Sequence, residues 1–458
     1  MSLTSRPPYT GGFTPVTDEV TAFDLPVTGR VPTALNGRYL RNGPNPMDLD
    51  DARLHLFTGD GMVHGVRLRD GKAEWYRNRW VRSAHIAEAL GEQPRSGAPV
   101  HHRDTGPNTH VIGHAGRTFA LVESGPRPYE LTYDLDTVGA SDFSGTLLAG
   151  FTAHPKLDPA TGELHAVTYD GGGDIVRYLV VSAAGLVTRS VDIPAAHSPM
   201  MHDFALTQKY AVLYDLPVTF SREAAQAGNP LPAAWNEGRG GRIGLLPRDG
   251  VEVRWFDIPP CFVFHTLNAY DDGDTVVVDV VRFPKMFVNA ELSGNSLSTL
   301  DRWVIDTVTG TVTESRLDDR PQEFPTISPA VVSGTHRYGY SAVTADLLRF
   351  AGPTAGLEDL SNDSLTDGLL KHDLTQQRTE VRHFGRGHHT GEAVFVPSEN
   401  ARAEDDGYLM AYVHDPDRGA SDLVILSAQD FTGSPVATIH LPARVPLGFH
   451  GNWIPDPA

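Results

Sequence analysis

Twenty histidines are spread over 458 residues, and the stretch HSPMMHDFALTQKYAVLYD, residues 197 to 215, carries two of them at the entrance of a run with strand character. Imidazole nitrogens bind first-row transition metals, so the question is which histidines the fold can aim together. Four stand out by their neighbours: His154 in FTAHPKLDP before a turn, His202 in MMHDFAL entering a strand, His265 in CFVFHTLNAY after an apolar run, and His450 in VPLGFHGNW near the C-terminus. Their spacing carries no local signature of the H-E-x-x-H kind, and each alone also reads as a hydrogen-bonded core or loop imidazole. Three carboxylates attract the same scrutiny. Glu123 in ALVESGP, Glu323 in PQEFPTI and Glu392 in TGEAVFVP adjoin apolar or β-type runs, where a carboxylate is costly unless paired. A metal-bound imidazole generally donates its second ring N–H to such a group, so each Glu reads as that partner or as a partly solvated residue at a strand end.

Residues so far apart in sequence meet only if the fold gathers them. Short β-type runs recur from end to end, among them ELHAVTYD from Glu163, YAVLYDLPV from Tyr210, GYLMAYVHD from Gly407 and SDLVILSAQ from Ser421. Between runs sit similar turn segments, LTYDLDTVG, HPKLDPATGE, WVIDTVTGTVTE and LLKHDLTQQRTE, in which Asp, Thr and Gly supply tight-turn geometry. Helical patterns are few and short, around HIAEALGE from His85 and SREAAQAG from Ser221. The chain is expected to be all-β and built from repeated hairpins. Radial repetition in a β-propeller is favoured over a sandwich or a β-solenoid, because the innermost strands of different blades converge on one axis. No linker composition marks a boundary, so residues 1–458 are expected to form one domain, with about the first 15 residues as a disordered lead-in.

Composition narrows the function classes. The apolar fraction of 40% supports a sizeable core, and no run approaches the roughly 18 apolar residues that cross a bilayer, so an integral membrane protein is not expected. MSLTSRPPYTGGFTPV lacks the charged and apolar regions of a secretory signal. Cys261 is the single cysteine, which excludes intramolecular disulfides and thiolate metal cages. Together these predict a cytoplasmic protein. A net charge of -19 argues against nucleic acid as a partner.

The ordered motifs LNGRYLRNGPNP, HLFTGDGMVHG, TAHPKLDPATGEL, MMHDFALT, RIGLLPRDG, CFVFHTLNAYDDGD, GEAVFVP and GFHGNW resemble the carotenoid cleavage oxygenase family from about residue 15 to the end. The resemblance implies a seven-bladed β-propeller, about 65 residues per blade, with a helical and loop cap over an axial metal site. It implies one Fe(II) per chain held by His154, His202, His265 and His450, with His197 a loop residue. It further implies that Glu123 orients His202, Glu323 orients His265 and Glu392 orients His450, leaving His154 without a carboxylate. Thr109 in PNTHVIG matches a position where a small side chain stands against an open coordination place. The implied reaction is scission of a conjugated C=C bond by O2 into two carbonyl products, without reductant or organic cofactor. No obligate protein partner is implied. Phe57, Phe264, Phe324 and Phe449 adjoin the motifs and are candidates either for a substrate tunnel or simply for the core.

Substrate class turns on departures within the family. Stilbene-cleaving relatives carry a Lys directly before the Glu corresponding to Glu123 and a Tyr upstream, both gripping a phenolic oxygen; here Val122 precedes Glu123, and PRSGAPVHHRDTGPNTH contains no Tyr. An apolar polyene, a carotenoid or apocarotenoid, is therefore favoured over a hydroxystilbene, although His101 or His102 offers a phenol an alternative partner. Phe220, Leu231 and Trp235 lie where relatives build a tunnel mouth that touches membranes, and a packed surface loop is the equal alternative. In EFPTIS, Thr326 and Ser328 replace the family's usual Arg and Asp, which questions a local salt bridge but not Glu323. Rival functions are a polyene isomerase on the same scaffold, a non-catalytic propeller, and a calcium-dependent propeller hydrolase, whose oxygen ligands the histidine set does not supply.

Overall fold

The computed structural model describes residues 11–48, 56–95, 106–288, 297–343 and 368–457. Seven antiparallel sheets of four or more strands form the blades of a seven-bladed β-propeller. Blade 1 is built on Gly37–Pro44, Gly61–Arg69 and Lys72–Trp80, blade 2 spans residues 110–140, blade 3 residues 156–194 and blade 4 residues 205–258. Blade 5 is built on Phe262–Asp272, Thr275–Phe283, Thr299–Asp306 and Val312–Asp318, blade 6 on Glu323–Thr326, Tyr338–Ala342, Gly368–Asp373 and Arg378–His383, and blade 7 spans residues 389–440. Only two short α-helices occur among the described residues, Ala84–Ala89 and Arg222–Gln226.

In blade 5 burial falls from the inner strands outward, and the sequence follows it. Thr275–Phe283, TVVVDVVRF, is buried on both faces because neighbouring blades cover it, which suits its β-branched run. The outermost strand of the same blade, Val312–Asp318, is largely exposed and polar. The turns form as their composition predicts: in WVIDTVTGTVTE, Asp306 Oδ1 accepts the N–H groups of Val308 and Thr309, both at 2.8 Å, and Gly310 takes a φ of 78° that disfavours any side chain.

Both ends of the chain close the ring. Gly451–Pro455 is the innermost strand of blade 1, antiparallel to Gly37–Pro44 from Arg41↔Gly451 to Gly37↔Pro455. Just before it the backbone of Gly448 lies against that of Gly43, so that a Cβ on Gly43 would come 2.7 Å from the Gly448 Cα. On the outer rim, Thr21–Phe23 adds to blade 1 and Val27–Gly29 adds to blade 7. Radial packing of the blades leaves only short, protected sheet edges.

In blade 4 an extra hairpin, Val218–Phe220 with Ala233–Trp235, interrupts the connection between the second and third strands and carries the Arg222–Gln226 helix. Ser221 caps that helix by accepting the Ala224 N–H at 3.1 Å. No described helix is long and apolar enough to cross a membrane.

Candidate metal centre

Each blade delivers one residue of interest to the axis at or beside its innermost strand. Thr109 precedes His110–His114 of blade 2, His154 precedes Lys156–Leu157 of blade 3, and His202 precedes Ala205–Leu206 of blade 4. His265 lies within Phe262–Asp272 of blade 5, Glu323 opens Glu323–Thr326 of blade 6, Glu392 follows His389–Thr390 of blade 7, and His450 precedes Gly451–Pro455 of blade 1.

Backbone irregularities aim three of them. The strand bearing His265 carries an extra residue relative to its partner between Val263 and Thr266, and the strand opened by Glu323 does so before Thr326. In blade 7 the innermost strand breaks between Thr390 and Val394, where four steps oppose three on Gly407–Asp415. Such bulges turn a side chain out of the regular alternation. At the second of them Phe324 adopts a φ of 54°, its N–H donates to Glu323 Oε2 at 2.7 Å, and its ring packs against His265 and His450.

The four histidines converge. The ligating atoms of His154, His202 and His265 lie within 4.8 Å of one another, and the His450 ring centroid is 4.7 Å from that of His154 and 4.8 Å from that of His265. His202 Nε2 lies 3.2 Å from His265 Nε2, and the buried His154 Nε2 has no hydrogen-bond partner. The opposite nitrogens of three rings point outward to carboxylates. Nδ1 of His202 donates to Glu123 at 2.5 Å, that of His265 to Glu323 at 2.5 Å, and that of His450 to Glu392 at 2.9 Å. Nδ1 donation fixes a tautomer whose Nε2 lone pair faces inward, the arrangement of a metal-binding imidazole. Among the described residues no hydrogen bond or ion pair joins His154 to a carboxylate. His197, by contrast, is exposed in a turn with a φ of 72°.

The electrostatics suit a cation. Burial, then the neighbouring rings, hold His154 and His265 well below the ordinary histidine range, so they stay neutral and available as ligands. Burial also opposes charge on His202, but Glu123 outweighs it and the net direction is upward. Burial pushes Glu323 up to about 8, whereas for Glu392 burial is outweighed by His450 and the direction is downward. A buried divalent ion would favour the ionised form of each carboxylate. The cluster of His154, His202 and His265 is compatible with a metal site, and the His450 ring packs beside it.

Above the histidines lies an apolar cavity of about 220 Å³. Phe57, Phe264, Phe324 and Phe449 all line it, and the last three are also buried members of the core. Thr109 and Val122 line it as well, and Thr109 donates its hydroxyl to Asn108 Oδ1 at 2.9 Å. Phe220 and Leu231 form part of its wall; with Trp235 they are half-buried, and Leu231 and Trp235 pack on the core. Thr326 donates to the Ala393 carbonyl at 2.9 Å, a blade 6 to blade 7 tie beside Glu392 in place of the salt bridge that the resemblance expects. His101 and His102 lie outside the described residues.

Sequence reasoning missed several participants. Tyr169, which had read only as part of a strand, donates its hydroxyl to the second oxygen of Glu123 and lines the cavity. Phe283 and Met286 line it too, with no motif to mark them, as does Met200 at the start of MMHDFALT. His110 packs against His450 and His154, and burial followed by the proximity of His450 depresses it to about 4.

The sequence matches the family described as RPE65, retinal pigment epithelial membrane protein, over residues 13–455. A carotenoid cleavage oxygenase of Mycobacterium tuberculosis is 48% identical, with 98% of each chain covered. Among solved structures, the lignostilbene dioxygenase of Pseudomonas brassicacearum superposes with a TM-score of 0.85 at 28% identity over 100% of both chains. Cobalt-substituted Synechocystis apocarotenoid oxygenase gives 0.83 at 27% identity, covering 97% of this chain and 98% of that one. A match at 48% identity that runs through every blade and both ring-closing ends places the chain in the carotenoid cleavage oxygenase family, oxidoreductases that incorporate O2.

Proposed function

We propose that this protein is a cytoplasmic Fe(II)-dependent dioxygenase, a single propeller domain that cleaves a conjugated C=C bond of a carotenoid or apocarotenoid, the two oxygens of O2 ending in two carbonyl products. The observation that carries this reading is the inward set of imidazole nitrogens, with an orphaned buried Nε2 on His154, at the floor of an apolar cavity. His154, His202, His265 and His450 would hold the ion, and an all-imidazole set suits iron over calcium or magnesium. When bound, the ion supplies the redox chemistry that lets O2 react with an electron-rich double bond. Everything else is done by the chain. Glu123, Glu323 and Glu392 hold three rings in the ligating tautomer and offset the charge of the ion without occupying its ligand positions. Thr109 lines the cavity with its hydroxyl engaged by Asn108, and its small side chain would narrow access for a second small ligand. The apolar wall excludes water and positions the polyene, so which bond lies near the site follows from cavity depth.

The apocarotenoid oxygenase neighbour supports a polyene, as does Val122 in the cavity wall. The lignostilbene dioxygenase neighbour favours a hydroxystilbene as second reading. Both substrates supplied together to Fe(II)-loaded protein, in air and under nitrogen, separate them by product mass spectrometry. Oxygen-dependent aldehydes from the apocarotenal are expected; fragments from the stilbene alone would overturn the polyene assignment. Val122→Lys, which puts an ammonium into an apolar wall, is expected to lower apocarotenal turnover at least about tenfold without loss of metal.

Glu392 accepts both the His450 Nδ1–H and, at 2.7 Å, the Gly451 N–H. Glu392→Gln is therefore expected to lower kcat about 10- to 100-fold while the melting temperature moves little. Unchanged turnover, measured beside a thermal melt, would remove Glu392 from the orienting set.

A further inference from the structure

Asp203 directly follows His202 and is 2% exposed. Lys156 Nζ lies 2.9 Å from its Oδ1 and donates to Oδ2 at 3.1 Å, while the Thr266 N–H donates to Oδ2 at 2.9 Å. These partners come from both flanking blades: Lys156 from the innermost strand of blade 3, and Thr266 from that of blade 5. Each contact falls beside a histidine of the cluster, since Lys156 is two residues from His154, and Asp203 and Thr266 are adjacent to His202 and His265. Thr266 sits where the ladder of its strand is irregular on both sides, so its N–H is held by Asp203 within the stretch that aims His265. The Tyr214 hydroxyl of blade 4, 2.8 Å from Thr266 Oγ1, fastens the same residue from a second direction.

We propose that Asp203 is a positioning residue of the metal centre, clamping the entrances of three adjacent innermost strands so that the ligating nitrogens of His154, His202 and His265 stay within binding reach of one ion. The inference rests on the reading of those histidines as ligands. A buried ion pair adds little net stability over apolar packing, so the value of Lys156–Asp203 lies in the geometry it imposes. A tie between strands fixes their relative height along the axis, which sets the separation of side chains at their entrances. Neither partner touches the reacting atoms.

The test uses purified full-length protein stripped of metal, with Co(II) as probe. Wild type, Asp203→Asn and Lys156→Met are compared by binding isotherm, visible ligand-field spectrum and thermal melt. A clamp requires both substitutions to weaken Co(II) binding, about tenfold or more, and to shift the ligand-field bands. A purely electrostatic role predicts opposite signs, Asp203→Asn weaker and Lys156→Met tighter with unshifted bands, and that pattern would overturn the proposal. Lower melting temperatures with unchanged affinity and bands would overturn it as well, reducing the pair to a structural one. Lys156→Met, at a side chain 24% exposed, carries the test alone if Asp203→Asn does not fold. Failure of the wild type to take up Co(II) would instead refute the metal reading beneath it.

Discussion

His202→Ala is expected to leave the protein unable to retain metal through gel filtration and to lower turnover on the order of a thousandfold, equivalent to about 4 kcal/mol of transition-state stabilisation. The His202 ring centroid is 4.4 Å from that of His154 and 5.0 Å from that of His265, so its loss removes one whole side of the cluster. It also strips Glu123 of the ring N–H that it accepts, leaving Tyr169 as its remaining side-chain donor. A half-buried carboxylate deprived of a partner costs about 1–3 kcal/mol, so a lower melting temperature accompanies the functional loss. His197→Ala is the matched control: five residues away, exposed and in a left-handed turn, it should change metal content and turnover by less than about twofold. Metal analysis of the two desalted variants beside wild type decides the matter. Equal metal in both would sink the assignment of His202.

Removing the chain from residue 451 onward, with His450 retained, is expected to abolish cooperative folding. The lost strand pairs along its whole length with Gly37–Pro44, whose eight residues are all buried, among them Tyr39, Leu40 and Arg41. Without it, blade 1 presents an unpaired edge to the axis, and Glu392 loses the Gly451 N–H. Unmade backbone hydrogen bonds at about 1 kcal/mol each, together with newly exposed apolar side chains, rival the roughly 5–15 kcal/mol stability of an ordinary domain. Size-exclusion chromatography and calorimetry should show aggregation and no sharp transition. A monomeric truncation with a sharp melt would mean that the outer-rim strands Thr21–Phe23 and Val27–Gly29 close the ring unaided.

The sequence carried the set of four histidines and three glutamates in its family motifs, although residue type alone left each of them a second reading. The four histidines and three glutamates that the motifs single out are the ones that the fold brings together, because each sits in a short stretch whose neighbours enter or leave a strand. The turns were legible for the same reason: an Asp that caps two N–H groups and a Gly at positive φ act within five residues, as at Asp306–Gly310. Tertiary structure alone decided what crosses blades. Tyr169 reaches Glu123 over 46 positions, Asp203 collects Lys156 and Thr266 over 47 and 63, and Gly451–Pro455 finds Gly37–Pro44 across nearly the whole chain. Bulges at His265, Phe324 and Glu392 were invisible too, since an extra residue is defined only against a partner strand. Local residue types fix which groups are available and where the backbone turns, but the distance between groups on different blades is set by ring closure and strand register, which depend on every blade at once.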